Sequence, residues 1–317
     1  MIQKPRGTSD YLGSDFLERR EIENKFVEFF TECGYQGLET PIFEQKNLFV
    51  RSVGEGTDIV SKELFDLEQK SDEVYSLRPE FTAGVVRCLI ELGLKSMPLP
   101  VKVFSVGPCF RYERPQKGRK RQFNQLNLEV IGKASADIDA EFIVNIYQFL
   151  AEIGITGIKI NINSLGSSAT RKQYSAIIKR FLLENKDGLC ELCQSRIERN
   201  PLRVLDCKNP DCQNIVKNAP SILDSLTPEE KAYFDEVIEK LNSENVECNI
   251  DPSLVRGLDY YTGIIFEISS SSDEQRISSI GGGGRYDELI RELDGPDFPA
   301  LGLGLGFERI IEFLRQK

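Results

Sequence analysis

The sequence predicts an α+β fold in which helices flank an antiparallel sheet and an inserted helical subdomain interrupts the strands. Strand patterns occur at 101–110, 126–132 and 158–163 and again at 261–269, whereas helical patterns dominate from 167 to about 245. Strands that come in runs, rather than alternating singly with helices, favour an antiparallel sheet over a doubly wound one. We therefore divide the chain into a first core part (1–166), the inserted helical subdomain (167–246) and a second core part (247–317).

The N-terminal part of the chain begins with a predicted helix at 14–34. Apolar residues recur there at helical spacing between Ser14, the expected N-cap, and the breaker Gly34. Segments 64–67 and 74–77 have the pattern of two hairpin strands around a polar turn. Residues 80–94 then return to a helical pattern.

The middle of the chain pairs two strand patterns around a charged segment. The strands at 101–110 and 126–132 bracket a stretch that is too polar for a core element, so we predict a long loop there. A helix at 140–153 and an alternating strand at 158–163 follow. After the inserted helices and the strand at 261–269, a glycine-punctuated strand leads into the last helix.

Composition excludes several classes of protein. The 317 residues include 40 Lys and Arg against 50 Asp and Glu, and this formal charge of -10 argues against a uniformly basic nucleic-acid-binding protein. No histidine is present, which excludes Ser-His-Asp hydrolases and histidine-ligated zinc proteases. No apolar run is long enough to span a membrane, and the first residues do not form an export signal. With eight cysteines interpreted as thiols or metal ligands, we expect a cytoplasmic protein.

A basic patch that the overall charge conceals lies in the predicted loop after the strand at 101–110. A solvated, charged turn is the simpler interpretation of this loop. However, its first arginine follows an apolar strand end and is expected to begin inside a cleft, and guanidinium groups recognise phosphate bidentately. The loop therefore suits nucleotide phosphates and an RNA end. Its basic residues are Arg111, Arg114, Lys117, Arg119, Lys120 and Arg121.

Two further stretches place arginines beside strands. Arg256 precedes the apolar strand in LVRGLDYYTGIIFEI, where a structural pair of Arg256 with Asp259 is the alternative interpretation. Arg309 falls in the first turn of the last helix, after GGGGRYDEL and ALGLGLGFERII. The glycines fit either a turn with a surface arginine or a strand whose missing side chains let a flat ligand or another backbone approach. Neither the dinucleotide fingerprint nor the phosphate-loop motif occurs.

Together these stretches resemble the histidyl-tRNA synthetases. Motif 2 of that family is similar to FRYERPQKGRKRQFNQLNLEVIG, motif 3 to ALGLGLGFERII, and a peptide typical of the histidine enzymes to LVRGLDYYTG. The segments PRGTSDYLG, LRPEFTAGVVR and NPLRVLDCK also fit, so the resemblance covers essentially the whole chain. It implies a class II synthetase fold and a histidine–tRNA ligase activity, in which ATP activates histidine as the adenylate and the histidyl group passes to the 3′ end of tRNA(His).

The resemblance implies ATP with Mg²⁺ as the cofactor, bent over the sheet, and gives catalytic roles to three arginines. Arg111 would hold the α-phosphate, Arg256 would reach the same phosphate in place of a metal ion, and Arg309 would hold the γ-phosphate end and the adenine face. Fixed guanidinium groups suit this reaction because negative charge moves toward pyrophosphate. Glu113 would accept a hydrogen bond from the adenine amino group. The ATP-binding residues implied are Arg111, Glu113, Arg119, Phe123 and Arg309.

An amino-acid pocket is also implied. An imidazole with two N–H groups favours acceptors, and the resemblance places Glu129 and Tyr261 at the ring. An apolar competitor would leave that carboxylate unpaired. From the residues alone, an ion-paired glutamate on a strand is the simpler interpretation of Glu129. The histidine-binding residues implied are Glu80, Thr82, Gln125, Glu129, Tyr260 and Tyr261.

The family resemblance extends to the tRNA and to assembly. Gln116, Arg119 and Arg121 would face the tRNA acceptor end, and the family forms homodimers through its N-terminal region. Family members also continue into an anticodon-binding domain that this sequence lacks. We therefore expect adenylate formation to persist and tRNA charging to be weaker.

Two positions depart from the family pattern. The family often has histidine where Tyr112 and Asn124 stand. A planar polar ring and an amide are kept there, but any role that requires a titrating imidazole is lost.

Four of the eight cysteines lie in the predicted insertion, as a CxxC pair and a C-x4-C pair. Four thiolates at such spacing could form a tetrahedral zinc site. The second pair is wider than usual, and the family does not depend on such a site, so four free thiols are the alternative. The residues are Cys190, Cys193, Cys207 and Cys212.

Two rival functions share the resemblance. A shortened paralogue serves as the non-catalytic regulatory subunit of ATP phosphoribosyltransferase in histidine biosynthesis, but it tends to lose the arginines and the RGLDYY peptide that are intact here. A non-enzymatic module that binds RNA or regulates a kinase is the second rival. Pyrophosphate exchange that depends on histidine distinguishes both from the enzyme.

Overall fold

The structure, a computed structural model, describes residues 2–54, 56–68, 72–116, 118–270 and 278–315. Lys117 of the basic loop and residues 69–71 of the predicted hairpin turn lie outside these ranges. The strands are β1 (Gln36–Gly37), β2 (Phe43–Gln45), β3 (Tyr75–Leu77), β4 (Val101–Phe110), β5 (Gln122–Ile131), β6 (Ile158–Ser164), β7 (Cys248–Ile250), β8 (Thr262–Ser270), β9 (Ser278–Arg285) and β10 (Ala300–Gly306). The helices are α1 (Ser14–Glu32), α2 (Lys46–Val53), α3 (Thr82–Glu91), α4 (Ala136–Glu152), α5 (Ser168–Glu184), α6 (Glu191–Arg199), α7 (Pro210–Val216), α8 (Pro228–Ser243), α9 (Leu289–Glu292) and α10 (Phe307–Leu314).

An eight-stranded sheet forms the centre of the fold, in the order β1-β4-β5-β10-β9-β8-β6-β7. The inner pairs are antiparallel, which confirms the predicted α+β class. Both outermost pairs, β1 with β4 and β6 with β7, are parallel, so the sheet is mixed at its edges. No helix in the described ranges is long and apolar enough to cross a lipid bilayer.

Helices cover both faces of the sheet. On one face α1, α4, α8 and α10 bury a core that includes Phe26, Phe149 and Phe307. Side chains on a strand alternate between faces. In β5, Leu126, Leu128 and Val130 belong to this core. The residues between them, Gln125, Asn127 and Glu129, therefore face the opposite side, where α3, α5 and α9 pack.

The inserted segment contributes to both faces. Helices α5, α6 and α7 join the core on the side of α3, whereas α8 packs against α4 on the other side. A capping box of Thr227 and Glu230 begins α8. The predicted boundaries of the insertion stay a prediction.

Three local expectations differ from the structure, and a fourth that had two alternatives is decided by it. Helix α1 has Gly13 as its N-cap and no side-chain cap, so Ser14 lies inside the helix. Strand β3 pairs with β2, and the expected hairpin reduces to a single bridge between Asp66 and Ser76. Strand β5 begins at Gln122, so the loop is shorter than predicted. The glycine run at 281–284 is part of β9 and is not a turn.

Candidate active site

A cleft of about 1210 Å³ opens on the sheet face that carries the polar side chains of β5. It collects most of the predicted site residues, although they come from distant parts of the sequence. Gln116, Arg121 and Glu129 are not among the lining residues. The predicted residues that line the cleft are Glu80, Thr82, Arg111, Glu113, Arg119, Phe123, Gln125, Arg256, Tyr260, Tyr261 and Arg309.

The three predicted catalytic arginines reach the cleft from three separate elements. Arg111 follows β4, donates from Nε to the carbonyl of Pro79 at 2.9 Å and lies with its guanidinium carbon 5.3 Å from the centre of the Phe123 ring. Arg309, in the first turn of α10, donates to the carbonyls of Ser279 and, at 3.3 Å, of Gly118. Backbone carbonyls therefore hold both side chains without neutralising their charge.

Arg256 lies in the loop before β8, and its guanidinium packs over β9. Its Nη1 donates to Glu267 Oε2 at 3.3 Å, and its Nε is buried with no hydrogen-bond partner among the described residues. A Cβ at Gly282 would collide with this guanidinium. The glycine run in β9 thus provides the room in which Arg256 lies.

The loop that carries Arg256 is anchored by the inserted helices. Asp259 Oδ1 accepts a hydrogen bond from Asn200 at 2.9 Å, and Arg171 of α5 donates to the carbonyls of Asp259 and Tyr261 at 2.8 and 2.6 Å. Burial raises the pKa of Asp259. The alternative pairing of Arg256 with Asp259 is therefore wrong, because each side chain has another partner.

Glu129 lies completely buried beneath the cleft. Its carboxyl accepts from Thr82 Oγ1 at 2.6 Å, from Asn127 Nδ2 at 3.0 Å and from the hydroxyl of Tyr286. Burial raises the pKa of Glu129 from 4.5 to about 8, while these three hydrogen bonds act in the opposite direction. Thr82 and Asn127 line the cleft, so they separate the carboxyl from it. The simpler interpretation of Glu129 as an ion-paired glutamate does not hold, because its partners are neutral.

Glu80 combines a position in the cleft with a structural contact. Its two carboxylate oxygens accept the backbone N–H groups of Thr82 and Ala83 at 2.6 and 2.9 Å, at the start of α3. A carboxylate at this end of a helix is favoured by the helix dipole. Burial raises the pKa of Glu80, and the two backbone hydrogen bonds oppose this shift.

The alternating glycines of β10 make room for the polar side chains of β5. A Cβ at Gly302 would overlap the carboxyl of Glu129, and one at Gly304 would overlap the amide of Gln125. The sequence predicted that the missing side chains of this strand would let a ligand or another backbone approach. In the structure, the side chains of Glu129 and Gln125 occupy this space.

The two aromatic residues of the RGLDYY peptide form a wall of the cleft. The rings of Tyr260 and Tyr261 lie 4.7 Å apart between centroids, and Tyr260 is 5.5 Å from Tyr286. All three rings are at least nine-tenths buried. The three rings surround the space beside Thr82 with apolar aromatic surface, and their hydroxyl groups are the polar atoms there.

The motif 2 loop folds back on itself at the mouth of the cleft. Glu113 pairs with Arg119 at 3.3 Å. Arg121 stacks on Tyr112, with its guanidinium carbon 3.8 Å from the ring centre. The exposed Gln116 exchanges backbone hydrogen bonds with Arg119.

The N-terminal segment supports the same loop. Gly7 accepts the backbone N–H groups of Arg121 and Gln122, and Lys120 donates to Ser9 and Tyr11 at 2.9 and 3.1 Å. This contact places the segment PRGTSDYLG against motif 2.

Four residues of the site were not singled out from the sequence. Asn127 and Tyr286 bind the Glu129 carboxyl, and Glu267 pairs with Arg256. Glu308 lines the cleft and forms a buried ion pair with Arg19 at 3.2 Å. Asn127 could have been found from the two-residue alternation of QLNLEV. The side chains that contact Glu308, those of Arg19 and Tyr11, are nearly 300 residues away in the sequence.

The comparison with known families agrees with the geometry of the cleft. The family model described as histidyl-tRNA synthetase matches residues 7–310 of the chain. The chain belongs to the histidyl-tRNA synthetase family. Most of the chain is therefore accounted for by one family, including the inserted helices.

Similar proteins carry the same description. The chain is 45% identical over 312 residues to a histidine–tRNA ligase of Clostridioides difficile, which covers 98% of this chain and 74% of that protein. A histidine–tRNA ligase of Desulfitobacterium hafniense is 43% identical over 310 residues, or 98% of this chain and 73% of its own length. The chain thus spans about three quarters of the length of these histidyl-tRNA synthetases.

Solved structures of the family share the fold. Apo histidyl-tRNA synthetase of S. aureus matches with a TM-score of 0.80 and 36% identity over 100% of this chain and 74% of that one. A Bacillus halodurans structure described as an ATP phosphoribosyltransferase regulatory subunit/histidyl-tRNA synthetase matches with a TM-score of 0.74 at 23% identity, which is evidence for the fold alone.

Proposed function

We propose that this chain activates histidine with ATP to form histidyl-adenylate and transfers the histidyl group to the 3′ end of tRNA(His). The observation that carries the proposal is the convergence of Arg111, Arg256 and Arg309 on one cleft, above a buried carboxyl group. Curated relatives that are 41–45% identical over nearly the whole chain are named histidine–tRNA ligases, which supports the same assignment.

The three arginines suit adenylate formation. The carboxylate oxygen of histidine forms a bond to the α-phosphorus of ATP, and the bond from that phosphorus to the leaving pyrophosphate breaks. Both reactants are anions, so fixed positive charge must offset their repulsion and the charge that develops on pyrophosphate. No protein base is required because the nucleophile is already ionised, and a chain without histidine can therefore catalyse the reaction.

The buried carboxyl suits an imidazole ring. We place the ring beside Thr82, between the tyrosine wall and β5, where a ring N–H donates to the Thr82 hydroxyl, which in turn donates to Glu129. Gln125 and Glu80 are left for the α-amino group, since both line the cleft nearby. An apolar side chain in the same place would leave the Thr82 hydroxyl without a donor from the ligand.

ATP and the tRNA end take the remaining part of the cleft. ATP enters as its magnesium complex, with the adenine between Phe123 and Arg309 and its amino group toward Glu113. We assign the tRNA acceptor end to Gln116 and Arg119, which are exposed on the motif 2 loop, together with the part-buried Arg121. Arg119 is half exposed, which supports this role.

The protein is proposed to work as a homodimer in the cytoplasm. None of the eight cysteines, all of which lie in the described ranges, forms a disulfide bond, as expected in a reducing compartment. Large apolar side chains of the N-terminal region are exposed, which supports pairing through that region. They are Leu12, Phe16, Leu17, Ile42 and Phe43.

Pyrophosphate exchange with each of the twenty amino acids tests the proposal. We expect labelled pyrophosphate to enter ATP with histidine and with no other amino acid. Exchange with a different amino acid, or none with a protein that is folded by circular dichroism, would contradict it. A regulatory subunit of ATP phosphoribosyltransferase would give no exchange, so the same assay separates the two functions.

A further inference from the structure

We propose that the inserted segment holds one structural zinc ion on Cys190, Cys193, Cys207 and Cys212. The Sγ atoms of these four residues all lie within 4.8 Å of one another, although the residues span more than twenty positions of the sequence. The other four cysteines of the chain belong to α1, α3, β4 and β7 or their ends and are not part of this group.

The distances fit a single tetrahedral ion. Zinc–thiolate bonds of about 2.3 Å place the corners of a tetrahedron about 3.8 Å apart. The sulfur atoms of Cys190 and Cys207 are 3.9 Å apart, which is also far longer than a disulfide bond. Four thiolates that ligate a cluster of several irons lie further apart, because each binds a different metal atom.

Backbone donors around the sulfur atoms favour thiolates. The N–H of Cys190 donates to Cys212 Sγ at 3.2 Å, and the N–H of Asn209 donates to Cys207 Sγ at 3.5 Å. The second bond joins a ligand to the residue two positions later, which turns the chain tightly around the sulfur. A zinc ion with four thiolates carries two negative charges, so such donors stabilise the complex.

Cysteines are a large part of what α6 and α7 contribute to the core. Helix α7 has seven residues, and its only buried residue is Cys212. Helix α6 buries Cys193 and Ile197. A zinc ion would join α6, α7 and the segment between them at one point, and such a structural site adds to the stability of the fold.

The cross-link has a consequence for the cleft. The segment between Cys193 and Cys207 includes Asn200, which binds Asp259 at 2.9 Å, and Arg203, which lines the cleft. Both ends of this segment would be fixed to the metal. The zinc ion therefore positions the support of the loop that carries Arg256 and takes no part in the reaction itself.

Metal analysis of the full chain tests the inference. Protein expressed in zinc-sufficient medium and purified without chelator is expected to contain one zinc per chain by plasma mass spectrometry. Cys212→Ser should lose most of this zinc, whereas Cys33→Ser, which removes a thiol outside the group, should keep it. Equal zinc content in the two variants, or essentially no zinc in the parent protein, overturns the proposal.

Cobalt gives a second test that does not depend on a variant folding. Protein produced in medium with Co²⁺ in place of Zn²⁺ is expected to show the intense visible absorption of tetrahedral cobalt with thiolate ligands. Protein without bound cobalt, cobalt with the weak spectrum of octahedral oxygen ligands, or iron as the native metal would overturn the assignment.

Discussion

The guanidinium of Arg256 is held between Glu267 and the glycine run of β9. Its Nη1 contacts Glu267, Gly282 lies directly beneath it, and its Nε is buried and unpaired among the described residues. A buried donor without an acceptor costs about 1 to 3 kcal/mol. A phosphate in the cleft would have to be contacted by the other nitrogens of the guanidinium, because Nε has no exposed surface.

Arg256→Ala is therefore expected to lower the rate of histidine-dependent pyrophosphate exchange by about 100- to 1000-fold, as the loss of one fixed charge-stabilising donor does in other active sites. The measurement is the exchange rate at saturating ATP and histidine. Arg291→Ala, which removes an exposed arginine of α9, is the matched control and should exchange normally. An unchanged rate in Arg256→Ala would show that this residue does not act on the phosphate.

The buried carboxyl of Glu129 makes the stability of the protein depend on pH. Because burial raises its pKa to about 8, the folded protein binds a proton there that the unfolded chain releases near pH 4.5. Between these values the native state holds more protons than the unfolded state, so stability falls as the pH rises. This contribution is fully present below pH 4.5 and is lost as the pH passes through about 8.

Glu129→Gln should remove this dependence. We expect the free energy of unfolding of the parent protein, relative to that of the variant, to decrease by about 1.4 kcal/mol per pH unit within this window. Urea unfolding of both proteins between pH 5 and pH 8 measures it. Glu229→Gln in the exposed first turn of α8 is the control. Parallel stability curves for the parent and Glu129→Gln would be evidence that the buried carboxyl is ionised throughout.

At the scale of single elements, β10 shows how a strand serves its neighbour. Its leucines face the core while Gly302 and Gly304 leave space for side chains of β5. The strand therefore contributes only its backbone to the site at these two positions. A side chain at Gly302 or Gly304 would displace Glu129 or Gln125.

Gly302→Ala is expected to destabilise the protein by about 1 to 3 kcal/mol, because the new methyl group overlaps the buried carboxyl of Glu129. It should also raise the KM for histidine. Urea unfolding and exchange kinetics measure the two effects. Gly56→Ala is the control, since the nearest atom to its Cβ would be 3.8 Å away. Normal stability and KM in Gly302→Ala would mean that the strands adjust at little cost.

Periodicity in the sequence predicts most elements of this fold. The strand at 101–110 and the helix at 14–34 follow their patterns closely, with α1 and β4 within two residues of the prediction. The glycine run gave no strand signal because glycine has no side chain to alternate, and β9 is set by hydrogen bonds to β8 and β10. Strand β2 has three residues, too few for a pattern, so the partner of β3 was missed.

Residue chemistry singled out Arg111, Arg256 and Arg309 before the resemblance gave them roles, and the structure places all three around one cleft. Their roles in catalysis stay a prediction. The sequence did not predict how far each side chain lies below the surface of the cleft. Glu129 was expected at the ligand, but Thr82 and Asn127 lie between it and the cleft, and that arrangement depends on contacts 47 residues apart in the sequence.

At the scale of the whole molecule, the N-terminal region leaves apolar surface uncovered. Phe16 and Phe43 are about half exposed, and Leu12 is almost fully exposed. Exposed apolar area of this kind is typical of an interface.

Phe43→Glu is therefore expected to shift the protein toward monomer, because a charge would have to be desolvated at the interface. Sedimentation velocity at several protein concentrations measures the change. Leu192→Glu, at an equally exposed position of α6, should leave the mass unchanged. A parent protein that sediments as a monomer would contradict the proposed dimer, and a dimeric Phe43→Glu would move the interface elsewhere.

The two ends of the central sheet have a consequence for how copies of the protein can meet. Strand β1 has two residues and β7 has three, and each runs parallel to its neighbour. A sheet margin this short offers few free amide and carbonyl groups for another chain to extend by backbone pairing. The long inner strands of this sheet are thus shielded from fibril-like growth at both of its ends.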